Sequence, residues 1–282
     1  MCKSYQIIYH STPDLPTKHE QPLNNDGLKT ALIEPEQKTL PQVREWALNE
    51  WQHSRTAGVF PVIPIKAMFF DMDATVIAEE SIVCLAEITG KQQQVAAVTE
   101  KAMNGLIGFD EALKERVATL EGITSQQLAN TKDRLTINPG MADLVATANN
   151  LGIKSFLVSG GFTQLAQPIA DKLGFSGCRA NTLEESNGAL TGKTVGNIIN
   201  AEAKLQYIKE ICTNHGWDAK EIIAIGDGAN DINMMTFAAA AIGFTPKPAL
   251  HPHIDLANFS GDHNVLEKLI TLTNKQTLDQ LP

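Results

Sequence analysis

The chain has 282 residues, 43% hydrophobic and 20% charged, an ordinary globular composition with length for one large domain or two smaller ones. A net charge of −9 argues against a broad basic surface for nucleic acid, so an anionic partner would have to meet a local cation or a metal. Four scattered cysteines with no CxxC argue against paired zinc sites and a disulfide framework and fit a reducing cytosol.

The first residues, MCKSYQIIYHSTPD, lack a signal-peptide apolar core, and no apolar stretch approaches the length of a membrane span. The expectation is a cytoplasmic protein with no membrane partner. YQIIYH reads as a short strand. Ser11 to Pro41 reads as loop, with the Asn24-Asn25-Asp26-Gly27 turn signal and several prolines. LPQVREWALNEWQHS places Val43, Trp46, Leu48 and Trp51 at roughly helical spacing. Residues 1–62 are taken together as an accessory segment that carries no visible chemistry.

From Ile63 onward strands and helices alternate. AMFF (67–70) is a strand. Residues 80–135 read as consecutive helices, with no strand between them. A helix follows over MADLVATANNLG, then strand IKSFLVSGG, helix FTQLAQPIADKLG, helix AEAKLQYIKEICTNHG and strand IIAIGDG. Such alternation predicts an α/β fold, a doubly wound, Rossmann-like parallel sheet with helices on both faces. The block at 80–135 is too long for a crossover and reads as a small helical cap inserted between core segments 63–79 and 136–275.

In open α/β sheets ligands bind where strands end. Three predicted strands end in polar or small residues: Asp71-Met72-Asp73, Ser159-Gly160-Gly161, and Gly226-Asp227-Gly228-Ala229-Asn230-Asp231. Acids ending a strand either meet water or share a cation. If the strands are neighbours, Asp71, Asp73, Asp227 and Asp231 form a cluster that repels itself unless protonated or metal-bound. Mg2+ takes such oxygen ligands. Ser159 and the amides of Gly160 and Gly161 precede a helix and make an anion site. Lys204 lies near another helix start and can neutralise a phosphate oxygen. Metal, anion nest and lysine around a carboxylate are what phosphoryl transfer requires. GDGAND lacks the GxGxxG spacing of a dinucleotide loop. His251 and His253 form an HxH in a proline-rich loop, read as exposed surface ahead of a metal site.

DMDATV, then SGG, a lysine and GDGAND resemble the haloacid dehalogenase superfamily. Within it, VIAEE (76–80), EKAMNGLIGFDEALKERVATLEG (100–122), VSGGF (158–162) and AIGDGANDINMM (224–235) resemble the phosphoserine phosphatases. The resemblance implies that Asp71 is the nucleophile that forms an aspartyl-phosphate and Asp73 the general acid and base. It implies Mg2+ held by Asp71, the backbone carbonyl of Asp73, and Asp227, with Asp231 in support. Thr75, Ser159, Gly160 and Lys204 would bind the phosphoryl group. Glu80 and Arg116 would read the ammonium and carboxylate of O-phosphoserine, a complementary pair. Met103, Phe109 and Asn230 would complete the substrate side. Ala74 departs from the family, which usually has Ser or Thr there. The implied reaction is hydrolysis of O-phospho-L-serine, the last step of serine synthesis. The alternative is a phosphatase or phosphotransferase acting on another small phosphomonoester. A non-catalytic binding protein of this fold would be expected to lack Asp71, Asp73 or Lys204. The sequence leaves the oligomeric state open.

Overall fold

A computed structural model describes residues 5–9, 18–22, 28–33, 56–103 and 106–279. Strand β5 (Ala67–Phe70) sits near the middle of one sheet and is buried along its whole length. Its four apolar residues in a row are what a parallel strand covered on both faces needs. Ala67 and Phe69 face one way, against Phe156, Ile208 and Met234. Met68 and Phe70 face the other, against Leu144, Leu157 and Leu266.

Parallel pairing joins β5 to β6 (Lys154–Phe162) on one side and to β9 (Ile222–Gly226) on the other. Beyond β6 lies β7 (Gly177–Ser186), and beyond β9 lie β10 (Ala240–Phe244) and β11 (Leu256–Asn258). Helices α5 (Met141–Asn150), α6 (Thr163–Leu173) and α9 (Asn264–Asp279) cover the Phe70 face. Helices α7 (Ala201–His215) and α8 (Ile232–Phe237) cover the Phe69 face. The expected doubly wound sheet is present.

Between β5 and α5 run four helices: α1 (Ser81–Ile88), α2 (Gln92–Met103), α3 (Phe109–Ala118) and α4 (Ser125–Thr131). Leu85, Val95, Leu113, Val117 and Leu128 from these helices form their own cluster, which also takes in Phe162, Leu165, Leu183 and Leu190. The last two come from a hairpin of β7 with antiparallel β8 (Ala189–Val195), which the sequence reading did not foresee. Leu190 N–H donates to Ile123 C=O at 2.8 Å and Gly122 N–H to Leu190 C=O at 2.9 Å, so the hairpin edge continues into the helical block.

The accessory segment differs from its loop-like reading. Lys18–Pro22 (β2) and Lys29–Ile33 (β3) are strands, as is Tyr5–Tyr9 (β1). With β4 (Thr56–Pro61) they extend the core sheet antiparallel to β11, giving the order β2-β3-β1-β4-β11-β10-β9-β5-β6-β7-β8. Turn residues dominate the sequence here and the strands are short; β2 pairs with the next strand, β3, while β1 finds its partners farther along the chain in β3 and β4. The helix expected around Trp46 and Trp51 lies outside the described residues. Among the described residues no helix is long and apolar enough to cross a membrane.

Candidate active site

The parallel strands β5, β6, β9 and β10 all end on one side of the sheet. The strand order reverses between β5 and β9, and the crevice at such a switch point is where open α/β folds bind ligands. Asp71 directly follows β5, and its N–H donates to Ile225 C=O of β9 at 2.9 Å. The chain then turns tightly over Met72–Val76, with Ala74 in the left-handed region at φ 53. The Thr75 carbonyl that leaves this turn accepts from Asn138 Nδ2 at 2.8 Å and from His263 Nε2 at 2.9 Å. A carbonyl only accepts, so Nε2 carries the proton. His263 is buried and stacked on Phe244 at 4.0 Å, and burial pushes its pKa down to about 4.

Asp71, Asp227 and Asp231 are buried, and one carboxylate oxygen from each lies within 4.8 Å of the others. This all-oxygen set suits a hard divalent cation. Lys204, on the first turn of α7, is 1% exposed and donates to Asp71 Oδ1 at 2.7 Å and Asp231 Oδ1 at 2.8 Å. Burial alone would lower the lysine's pKa, but the flanking Asp231 and Asp71 more than offset this and raise it. Asp231 Oδ2 accepts from the amides of Asp227 and Gly228 at 3.2 and 3.3 Å, which folds the GDGAND loop around it. Burial, then Asp71, lifts Asp231 to about 7 and Asp227 to about 6, against the pull of Lys204 and Lys247 respectively. Acids crowded in this way favour an added cation.

Asp73 points elsewhere. Its side chain is outside the acidic trio; Oδ2 accepts from Ser81 Oγ at 2.9 Å, while Oδ1 is buried without a partner. Burial, then the charges of Glu80 and Asp71, raises its pKa well above the usual carboxylate range. Asp71 and Asp73 both line a cavity of about 840 Å³ between the strand ends and the helical block. Glu80, Phe109, Arg116, Ser159, Gly160, Asp227 and Asn230 line it as well. Arg116 donates to Ala112 C=O at 3.2 Å from within α3; partial burial lowers its pKa, and Glu80 and Asp73 act against that. Asn230 Nδ2 is 3.4 Å from Asp71 Oδ2.

Gly160 packs so close to Phe109 that a Cβ would sit 3.3 Å from the ring, and a Cβ on Gly161 would meet Met72, Ser159 and Ser81 at 3.0 Å. The two glycines therefore let the helical block settle on the core. Ser159 Oγ is held by the Gly161 amide at 2.8 Å. Thr75 is fully buried in the turn after Asp73 and is not among the residues that line the cavity; its Oγ1 is buried without a partner. Met103 ends α2, and its side chain lies outside the described residues.

Two contributors escaped the sequence reading. His263 fixes the turn after Asp73 from nearly two hundred residues away, and no local pattern marks it. Lys247 lines the cavity and reaches Asp227 Oδ2 at 2.8 Å and Glu80 Oε1 at 3.4 Å. Its signal was available: it lies three residues beyond Phe244, the end of a fourth parallel strand.

The chain belongs to the haloacid dehalogenase-like hydrolase family, whose model matches residues 68–236. The phosphoserine phosphatase of Albidiferax ferrireducens is 40% identical over 213 residues, 73% of this chain and 89% of its own length. That of Idiomarina loihiensis is 37% identical, over 74% of this chain and 94% of its own. Among solved structures, a HAD family hydrolase from Salmonella enterica serovar Typhi superposes with a TM-score of 0.82 at 26% identity, covering 95% of this chain and 98% of its own. A phosphoserine phosphatase holding a phospho-aspartyl intermediate analogue gives 0.68 at 30% identity, over 74% of this chain and 99% of its own.

Proposed function

We propose that the protein hydrolyses O-phospho-L-serine to L-serine and phosphate through an aspartyl-phosphate on Asp71, as the final step of serine synthesis. The observation that carries this reading is the placement of Glu80 and Arg116 on the wall of the cavity that Asp71 and Asp73 also line. An acid and an arginine over a nucleophile match the ammonium and carboxylate that flank the phosphate ester. The names of the relatives agree with it.

Asp71, Asp227 and Asp231 fit Mg2+, because three buried carboxylates converge and all donors are hard oxygens. The backbone carbonyl of Asp73 would complete the protein ligands. When bound, the ion would neutralise phosphate charge. Lys204 pairs with Asp71 and keeps it directed at the strand-end crevice, and Ser159, Gly160 and Asn230 on the cavity wall, with Thr75 in the turn after Asp73, would hold the phosphoryl group. An Asp71 oxygen bonds to phosphorus as the bond to the serine oxygen breaks. The proton on Asp73 passes to that leaving oxygen, and the raised pKa of Asp73 suits it to carry one. The ionised Asp73 then takes a proton from water as the water oxygen bonds to phosphorus and the bond from phosphorus to the Asp71 oxygen breaks, which releases phosphate and restores both aspartates. Phe109 closes the cap side of the cavity.

The same reading divides the chain into core segments 63–79 and 136–275, a cap at 80–135 and an accessory segment at 1–62. Cys84, Cys178 and Cys212, free and scattered, support a reducing cytoplasm.

The test is phosphate release from L-phosphoserine, phosphothreonine, phosphoethanolamine, a sugar phosphate and an aryl phosphate, with Mg2+ and with EDTA. Mg2+-dependent preference for L-phosphoserine, lost in Arg116→Ala and Glu80→Gln, is expected. Equal turnover of the others would keep the chemistry and move the substrate to another small phosphomonoester.

A further inference from the structure

Glu80 is the residue from which α1 starts, yet its side chain does not cap that helix. Its carboxylate is half-exposed, and its hydrogen bond goes to Lys247, through Oε1 at 3.4 Å. Lys247 is anchored at the core. Its N–H donates to Asp227 C=O at 2.8 Å, its C=O accepts from Leu250 N–H at 2.9 Å, and Pro246 and Pro248 restrict the backbone on either side. Its Nζ meets Asp227 Oδ2 at 2.8 Å as well. The residue is thus held at its backbone and its tip by Asp227, and from there reaches across to the start of the helical block.

Each carboxylate gives Lys247 one oxygen. Glu80 Oε2 and Asp227 Oδ1 accept no hydrogen bond among the described residues. Without Lys247, Glu80 would be a half-exposed side chain free to turn to water. We propose that Lys247 is a positioning residue that sets specificity: it holds Glu80 over the cavity with one oxygen left to receive the ammonium of an amino-bearing phosphomonoester. The inference rests on the substrate reading above and adds a residue to it. Lys204, buried between Asp71 and Asp231, serves the reacting end; Lys247 serves the recognising end.

The test uses the Mg2+-loaded full chain with L-phosphoserine and with 3-phosphooxypropanoate, which keeps the phosphate and the carboxylate and lacks the ammonium. For Lys247→Met, the KM for L-phosphoserine is expected to rise about three- to fivefold, the scale of a half-exposed ion pair. The kcat and the KM (or inhibition constant) of the comparator should stay within about twofold on the same scale, and the Mg2+ dissociation constant measured by calorimetry should not rise, since Lys247 shares Asp227 with the ion's site. Lys247→Arg should recover most of the lost affinity. A rise shared by both compounds, a fall in kcat, weaker Mg2+ binding or no change at all overturns the proposal. Failure of the substrate reading shows separately, in the wild type: no preference for L-phosphoserine over the comparator sinks that reading and this inference with it.

Discussion

At the scale of single residues the site separates two carboxylates two positions apart. Asp71 faces an ammonium at 2.7 Å, while Asp73 faces a hydroxyl and has one oxygen with no partner. Asp71→Asn should abolish turnover, by roughly 10⁴-fold or more, because the covalent step is lost. Asp73→Asn should lower kcat by about 10²- to 10⁴-fold and leave KM for L-phosphoserine nearly unchanged, as loss of an acid/base predicts. Steady-state kinetics with an acid-quench search for phosphorylated Asp71 distinguishes them, since the covalent species forms only when Asp71 is intact. His263 gives a prediction about stability. Its pKa falls from about 6.5 unfolded to about 4 folded, so the unfolded chain binds more protons in that window. Stability is therefore full above about pH 6.5 and declines toward pH 4, by up to about 3 kcal/mol from this residue. Urea midpoints across that range should show the decline in the wild type and lose this component in His263→Phe. The strand-end positions of Asp71, Asp227 and Ser159 were legible because each follows an apolar run that had to be a strand. His263 and Lys247 were not, since their contributions depend on contacts made only after the chain has folded.

At the scale of elements, the β7–β8 hairpin backs the helical block. Besides the Leu190 bonds, Ser125 N–H donates to Gly188 C=O at 2.9 Å and Ser125 Oγ to Glu185 Oε2 at 2.6 Å. Gly192, at φ 75, lies against α3, where a Cβ would stand 3.1 Å from Glu121 Cβ and 3.3 Å from Ala118 Cα. Gly192→Val should cost about 1–3 kcal/mol, from crowding and a strained backbone together. Chemical denaturation reads this loss, and an unchanged midpoint would mean that the hairpin packs loosely. The hairpin left a mark in the sequence. Asn187 and Gly188 both have positive φ, at 51 and 78, the geometry of a two-residue hairpin turn for which Asn-Gly is the strongest short signal. The flanking strands, GCRANTLEES and ALTGKTV, are largely polar and half-exposed, so no apolar run marks them as strands. The four helices, by contrast, could be read from their apolar spacing.

At the scale of the whole molecule, the sheet joins two regions that the sequence shows as unlike. Gln6 Nε2 reaches Thr273 Oγ1 at 3.3 Å, and Ile8, Leu28 and Phe60 pack in the same cluster as Leu266 and Leu269 of α9. Removing residues 1–62 should uncover that cluster and the free edge of β11. The truncated chain should aggregate or melt well below the full one, as an unpaired strand edge and an exposed apolar face predict. Light scattering during a thermal ramp decides it; a soluble, monomeric and fully active truncation would show the strands to be dispensable.

The β4–β11 pairing also sets an order of events. Thr56 and Asn258 are hydrogen-bonded partners 202 residues apart, and β4 leaves the ribosome long before β11 exists. At common synthesis rates of about 5–20 residues per second, its outer edge waits on the order of 10–40 seconds for its partner. During that time the nascent chain carries an open template strand, and the earliest strands can join the core sheet only when nearly all of the chain has been made.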